Sequence, residues 1–117
     1  MKEIAYIKSG DYYIPDLHQK YKGRKFNIGF FGRRRLEFLK AERRFIYYDL
    51  ILSEELLPHL EQINEQAYDR LETLIEQMTQ AEGVNEEMKN HGFEWLHRMN
   101  DIRNRALEIV LEEIVYA

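Results

Sequence analysis

The stretch PHLEQINEQAYDRLETLIEQM, residues 58–78, decides the fold. Its apolar residues recur at intervals of three and four, which is the spacing of one face of an α-helix. Pro58 is tolerated in the first turn, where its missing N–H would have no partner, and Gly83 is a common stop. We therefore predict a long amphipathic helix over residues 54–82, with an apolar face of Leu60, Ile63, Ala67, Leu71, Leu74 and Met78.

The sequence after Gly83 predicts a second long helix. Asn85 is a favourable N-cap, and the two glutamates that follow it suit the positive end of a helix. Apolar residues such as Trp95, Ile102 and Ile109 keep the helical spacing almost to the end of the chain. We predict a helix over residues 85–115, longer than its neighbour.

The sequence before residue 54 divides into three parts. Residues 1–17 alternate apolar and polar side chains around Ser9-Gly10, which predicts a β-hairpin with a two-residue turn. Residues 18–32, HQKYKGRKFNIGFFG, show no period and predict a basic loop or arm. Residues 33–52 predict a helix whose apolar side chains form two arcs, so both of its sides should be covered.

Together these elements predict a mainly α fold: an N-terminal β-hairpin followed by a three-helix bundle with long second and third helices. The length of 117 residues and the 44% hydrophobic content suit a single domain, residues 1–117, with a modest core.

Composition also sets limits on function. The chain has no cysteine, and no apolar run approaches the ~18 residues of a membrane span, so we expect a cytoplasmic protein without a membrane partner. No catalytic motif appears, and one Glu94-x-x-His97 pair does not make a metal site. We expect no enzyme activity, no catalytic residue, no metal, no cofactor and no small-molecule substrate.

Charge is divided unevenly along the chain, whose net charge is −4. Residues 20–44 carry ten Lys or Arg against two acids, whereas residues 45–117 carry five against sixteen. Such asymmetry indicates polyanion binding or an interaction between oppositely charged surfaces. The predicted nucleic-acid-binding residues are a helical stripe of Arg33, Lys40 and Arg44, its neighbours Arg34, Arg35 and Arg43, and Lys20, Lys22, Arg24 and Lys25 of the arm.

The arm also contains the aromatic residues Tyr21, Phe26, Phe30 and Phe31, which would stack on bases or pack the arm down. A second interpretation of the stripe is an ordinary solvated face. In a third, the acidic helices neutralise it, within one chain or across a dimer.

Three polar residues fall in or beside the apolar arcs of the long helices: Asn64, Asn100 and Arg103. A buried guanidinium needs an ionic partner, so we predict a buried polar network in which Arg103 meets a carboxylate of another helix. The candidate partners are Asp49, Glu65 and Asp69. The alternative is a ligand pocket around Arg103.

Five segments resemble TnpV, a family of small proteins encoded on transposons and conjugative elements. They are GDYYIPDL (10–17), GRRRLEFLK (32–40), INEQAYDRL (63–71), EGVNEEMK (82–89) and MNDIRNRALEIV (99–110). The chain departs from the family at residues 52–55, where the family has a glycine near position 54. The resemblance implies an accessory protein of a mobile element and supplies no activity.

Charge and resemblance together favour an accessory protein that contacts DNA, or a DNA-bound recombinase complex, through residues 20–44. One alternative is a non-enzymatic protein-interaction module, such as a homodimer joined through the overhanging third helix. Another is an inhibitor whose acidic helices imitate nucleic acid.

Overall fold

The computed structural model describes residues 6–9, 12–15, 21, 23–84 and 92–117, and for residues 6–9 and 12–15 it describes the backbone. Four α-helices lie within this part: α1 (Gly29–Glu42), α2 (Arg44–Leu52), α3 (Leu56–Ala81) and α4 (Phe93–Val110). A π-helical turn, Leu111–Val115, continues α4. The mainly helical fold is confirmed, but the predicted count of three helices is wrong.

Two short strands precede the helices. Strand β1 (Tyr6–Ser9) lies antiparallel to β2 (Tyr12–Pro15), with Ile7 opposite Ile14. Ser9, predicted in the turn, is instead paired with Tyr12 in this register. The remaining residues of the predicted hairpin, including Gly10, lie outside the described part of the chain, so a β-hairpin over 1–17 stays a prediction.

The predicted helix 33–52 is in fact two helices. The first begins at Gly29, inside the predicted arm, and Arg43 interrupts the run with φ −136° and ψ 55°. The Arg43 N–H still donates to the carbonyl of Leu39, so α1 closes normally before the chain turns. After the turn, Tyr47, Leu50 and Ile51 of α2 pack against the core, and the opposite side of α2 is left exposed. The expectation that both sides are covered is therefore wrong.

The N-terminus of α1 is held by Asn64 of α3. The Asn64 side chain is buried, and its Oδ1 accepts the N–H of Phe31 at 3.3 Å. Gly29 has φ +58°, and a Cβ there would lie 2.5 Å from the Asn64 amide, so only glycine fits without a shift. This contact explains why the helix begins four residues earlier than the sequence suggested.

By contacts the chain divides into two compact units, residues 1–65 and 66–117. In the first, Leu36, Leu39 and Leu60 are fully buried and form a core with Ile28, Leu56 and Leu57. The predicted single domain over 1–117 stays a prediction.

The unit of residues 66–117 buries one stripe of α4 and its π-helical extension: Ile102, Ala106, Val110 and Val115. Two ion pairs join α4 and its extension to α3 and the turn after it: Arg70 with Glu113 at 3.2 Å, and Arg105 with Glu82 at 2.7 Å.

Arg103 and Asn100 are exposed, which contradicts their predicted burial. The apolar arc of α4 is wider than the stripe of side chains that is buried. Ile102 and Ala106 are four residues apart and therefore lie on one stripe, which is the part of the arc that packs. Arg103 follows Ile102 by one residue, about 100° around the helix, and so reaches solvent. Among the described residues of its own unit, Arg103 forms no ion pair with the predicted partner Asp69.

Candidate nucleic-acid interface

The three consecutive arginines of α1 occupy different environments. Successive residues of a helix point about 100° apart, so Arg33 and Arg35 diverge by about 200°. Arg34 is exposed and Arg33 is half-buried, whereas Arg35 is only 8% exposed. Arg35 therefore does not lie on the outer surface with Arg34, and its role in nucleic-acid binding stays a prediction.

Arg35 is turned toward α3, where its Nε donates to Nε2 of His59 at 3.3 Å. Burial, and then the positive charge of Arg43, lowers the pKa of Arg35. Burial, and then the charge of Arg35, lowers the pKa of His59. The imidazole is thus held in the neutral form, which has a lone pair to accept from the guanidinium.

The arm is pinned to α3 and to the turn before it. The Tyr21 hydroxyl lies 3.0 Å from both carboxylate oxygens of Glu55. Glu61 accepts the backbone N–H of Asn27 at 2.9 Å and forms an ion pair with Arg24 at 3.0 Å. The Arg24 guanidinium also lies 4.6 Å from the centre of the Phe26 ring.

These contacts remove Arg24 and two aromatic residues of the arm from the predicted interface. Arg24 is neutralised by Glu61 of α3. Phe26 packs against the core and Phe31 is fully buried, so these aromatic residues hold the arm in place and are not free to stack on bases. Lys25 is exposed, and Lys20 and Lys22 lie outside the described residues.

Five cations remain at the surface of α1 and α2, and we call them the cationic surface: Arg33, Arg34, Lys40, Arg43 and Arg44. Within the described part of the chain, none of them forms an ion pair. Glu37 and Glu42 are exposed on the same helix, so the cations outnumber the acids there.

The contacts of the cationic surface are with carbonyls and rings. Arg43 donates to the carbonyl of Glu42 at 3.1 Å, and Arg44 Nε lies 3.4 Å from the carbonyl oxygen of Lys40. Arg34 lies over Phe30, Lys40 over Tyr47 and Arg43 over Phe38, at 5.1, 5.7 and 5.3 Å from the ring centres. The break at Arg43 thus separates Arg44 from the helix of Arg33 and Lys40, although the Arg44 side chain still contacts the backbone carbonyl of Lys40.

Sequence reasoning missed the outer side of α2. No residue of this helix is buried, and Phe45, Tyr48 and Leu52 are 87%, 57% and 79% exposed. The apolar arc that contains them was visible in the sequence, but it was assigned to a covered side of one continuous helix. Only the break at Arg43 shows which arc faces solvent.

Chemistry of other kinds finds less support in the described residues. They contain no group of three His, Asp or Glu side chains placed to hold a metal ion. None of the described helices is long and apolar enough to span a membrane.

The formal charge is +2 for residues 1–65 and −6 for residues 66–117, so the cationic surface lies in the positive unit.

Comparison with curated proteins and with solved structures gives no match. A family model described as "Transposon-encoded protein TnpV" matches residues 5–115, nearly the whole chain. The resemblance noted in the five sequence segments is thereby confirmed, and the chain belongs to the TnpV family of transposon-encoded proteins.

Proposed function

We propose that this protein is a non-enzymatic accessory protein of a transposon that binds DNA through the cationic surface. The observation that carries this proposal is the lack of ion pairs at Arg33, Arg34, Lys40, Arg43 and Arg44 within the described residues. Transposons move as DNA, so DNA is an available ligand for an accessory protein of such an element. Exposed guanidinium and ammonium groups are the groups that bind phosphate oxygens.

Binding of this kind is independent of sequence. Contacts to phosphates position a protein on DNA but do not read bases, and their strength comes from the release of counterions. The affinity should therefore fall steeply as the salt concentration rises. A DNA-bound recombinase complex would present the same phosphates.

The test is a titration of labelled duplex DNA at several salt concentrations. Each phosphate contact contributes roughly 0.9 to the slope of log affinity against log salt. We expect the double variant Lys40→Ala/Arg44→Ala to lower that slope by about 1.8 and to weaken binding equally for all sequences. Alanine keeps both helices intact, because it has the highest helix propensity.

The matched control is Arg98→Ala/Arg103→Ala, which removes the same charge from exposed positions of α4. It should leave the slope unchanged. Equal effects of the two double variants would show that net charge and not the cationic surface governs binding. The absence of duplex binding at about 50 mM salt would remove the proposal altogether.

A protein-interaction module is the second candidate function, favoured by the exposed apolar side of α2. Large apolar side chains that face solvent together are typical of protein interfaces. Analytical ultracentrifugation over a range of concentrations tests it. A homodimer that dissociates on Leu52→Ala would support this candidate, and a single-chain mass at every concentration would exclude self-association.

An inhibitor that imitates nucleic acid is favoured only by the −6 charge of residues 66–117. Part of that negative charge is already paired, since Arg105 binds Glu82 and Asp101, and Arg70 binds Glu113.

A further inference from the structure

The exposed side of α2 combines a cation with aromatic rings. At about 100° per residue, Arg44, Tyr48, Leu52 and Phe45 fall within one sector of about 100°. Arg44 precedes Tyr48 by four residues and Phe45 precedes it by three, which are the spacings of neighbours on a helix surface. Phe45 and Tyr48 therefore lie side by side, with Arg44 at one edge.

This sector is continuous with the cationic surface. Arg44 Nε lies 3.4 Å from the carbonyl oxygen of Lys40, and Lys40 Nζ lies 5.7 Å from the centre of the Tyr47 ring. The rings of Tyr47 and Tyr48 are 5.6 Å apart. One patch of residues 1–65 thus presents cations along one border and the exposed rings of Phe45 and Tyr48 beside them.

We propose that this patch binds single-stranded nucleic acid, with phosphates held by Lys40 and Arg44 and bases stacked on Tyr48 and Phe45. The inference rests on the proposed function and deepens it. Single-strand-binding proteins combine a cationic groove with aromatic side chains, because an unpaired base exposes its flat face for stacking. A duplex keeps its bases stacked on one another, so the two rings would add nothing to its binding.

Charge distinguishes this ligand from an apolar protein surface. Three cations lie within five residues of the sequence: Lys40, Arg43 and Arg44. An apolar protein surface would leave them without an ionic partner. A nucleic-acid strand supplies phosphates for the cations and flat apolar rings for the aromatic side chains. Asp49 is exposed beyond Phe45, on the edge of the sector away from Arg44. Its carboxylate repels phosphates, which places the strand's backbone on the Lys40 side and its bases toward Phe45.

The experiment compares three labelled probes of equal length, about 16 nucleotides, at one salt concentration: oligothymidine, a strand of abasic sites and a duplex. The abasic strand keeps the phosphates and lacks the bases. We expect oligothymidine to bind about tenfold or more tighter than the abasic strand. The variant Phe45→Leu/Tyr48→Leu should abolish that preference while leaving duplex affinity unchanged, because leucine is apolar and a good helix former but has no flat ring.

The matched control is Phe93→Leu, which removes an equally exposed ring from α4 and should keep the preference. Equal binding of oligothymidine and the abasic strand, or a preference that survives the double leucine variant, would overturn the inference while duplex binding upholds the proposed function. Failure of all three probes would remove both. The substitution of Phe45 and Tyr48 could instead change the oligomeric mass of the protein and leave the probe preference unchanged. That result would identify the patch as a protein interface.

Discussion

At the scale of single residues, Asn64 of α3 acts as the N-terminal cap of α1. The first residues of α1 offer no Ser, Thr, Asp or Asn side chain at the cap position, which is Ile28. The Asn64 amide oxygen supplies the missing acceptor to Phe31 at a buried site.

We expect Asn64→Ala to lower the free energy of unfolding by about 1–3 kcal/mol, because a buried N–H would lose its partner. Urea unfolding measures this change. The exposed amide of the same helix, Gln62, provides the control, and Gln62→Ala should change stability by less than about 0.5 kcal/mol. Equal losses in the two variants would contradict the capping role.

The pair of Arg35 and His59 makes stability depend on pH. Because burial and the charge of Arg35 hold the pKa of His59 below its ordinary 6.5, the unfolded chain takes up a proton that the folded chain does not. The free energy of unfolding should therefore fall as the pH drops below about 6.5, and this group adds no pH dependence above that value.

Unfolding in urea at about pH 7.5 and about pH 5.5 measures the effect. His59→Gln offers Arg35 a neutral acceptor at every pH and should reduce the loss of stability on acidification. The exposed His97→Gln should keep the full loss. An unchanged loss in the His59 variant would show that other groups cause it.

Residue roles were partly open to prediction. That three successive arginines cannot share one helix face follows from helical geometry, but only the burial of Arg35 shows that it is the one that faces the core. The exposure of Arg103 could not be predicted, because the sequence shows which arc of α4 is apolar and does not show how much of that arc is buried.

At the scale of elements, the turn between α2 and α3 contains a strained residue. Glu54 has φ 62° and is the one non-glycine residue of the described part in the left-handed region. This is the position near which the family resemblance implied a glycine. A side chain in that region costs about 1–2 kcal/mol, and glycine avoids the cost.

We expect the Glu54→Gly variant to be more stable than the Glu54→Ala variant by about 1 kcal/mol. Both variants lose the contacts of the glutamate side chain, so their difference isolates the backbone. Thermal unfolding followed by circular dichroism measures it. Equal stability of the two variants would mean that the turn relaxes to another conformation.

The success of prediction varied from element to element for a physical reason. The helix α3 was predicted within two residues at each end, because a sustained apolar period and Pro58 act locally. The break at Arg43 has no local signal, since arginine is a good helix former and neither glycine nor proline is near. The break is explained only by the core that Tyr47, Leu50 and Ile51 reach after it.

At the scale of the whole molecule, the sequence shows how charge is divided along the chain. It does not show which cations are paired or buried and which remain at the surface. Composition showed ten cations within residues 20–44. The structure separates them by role: Arg24 binds Glu61, Arg35 is buried against His59, and the cationic surface forms no ion pair in the described residues. A count of charges cannot make that separation, because it depends on which helix face is covered.

The position of the lone indole has a practical consequence. Trp95 belongs to the unit of residues 66–117, and residues 1–65 contain no tryptophan. Intrinsic tryptophan emission therefore reports on the unit of residues 66–117, and the unit that contains Lys40 and Arg44 has no fluorophore of this kind. Moving the fluorophore with Phe45→Trp in a Trp95→Phe background would place it at the most exposed ring of α2, where stacking of a bound base would change its emission.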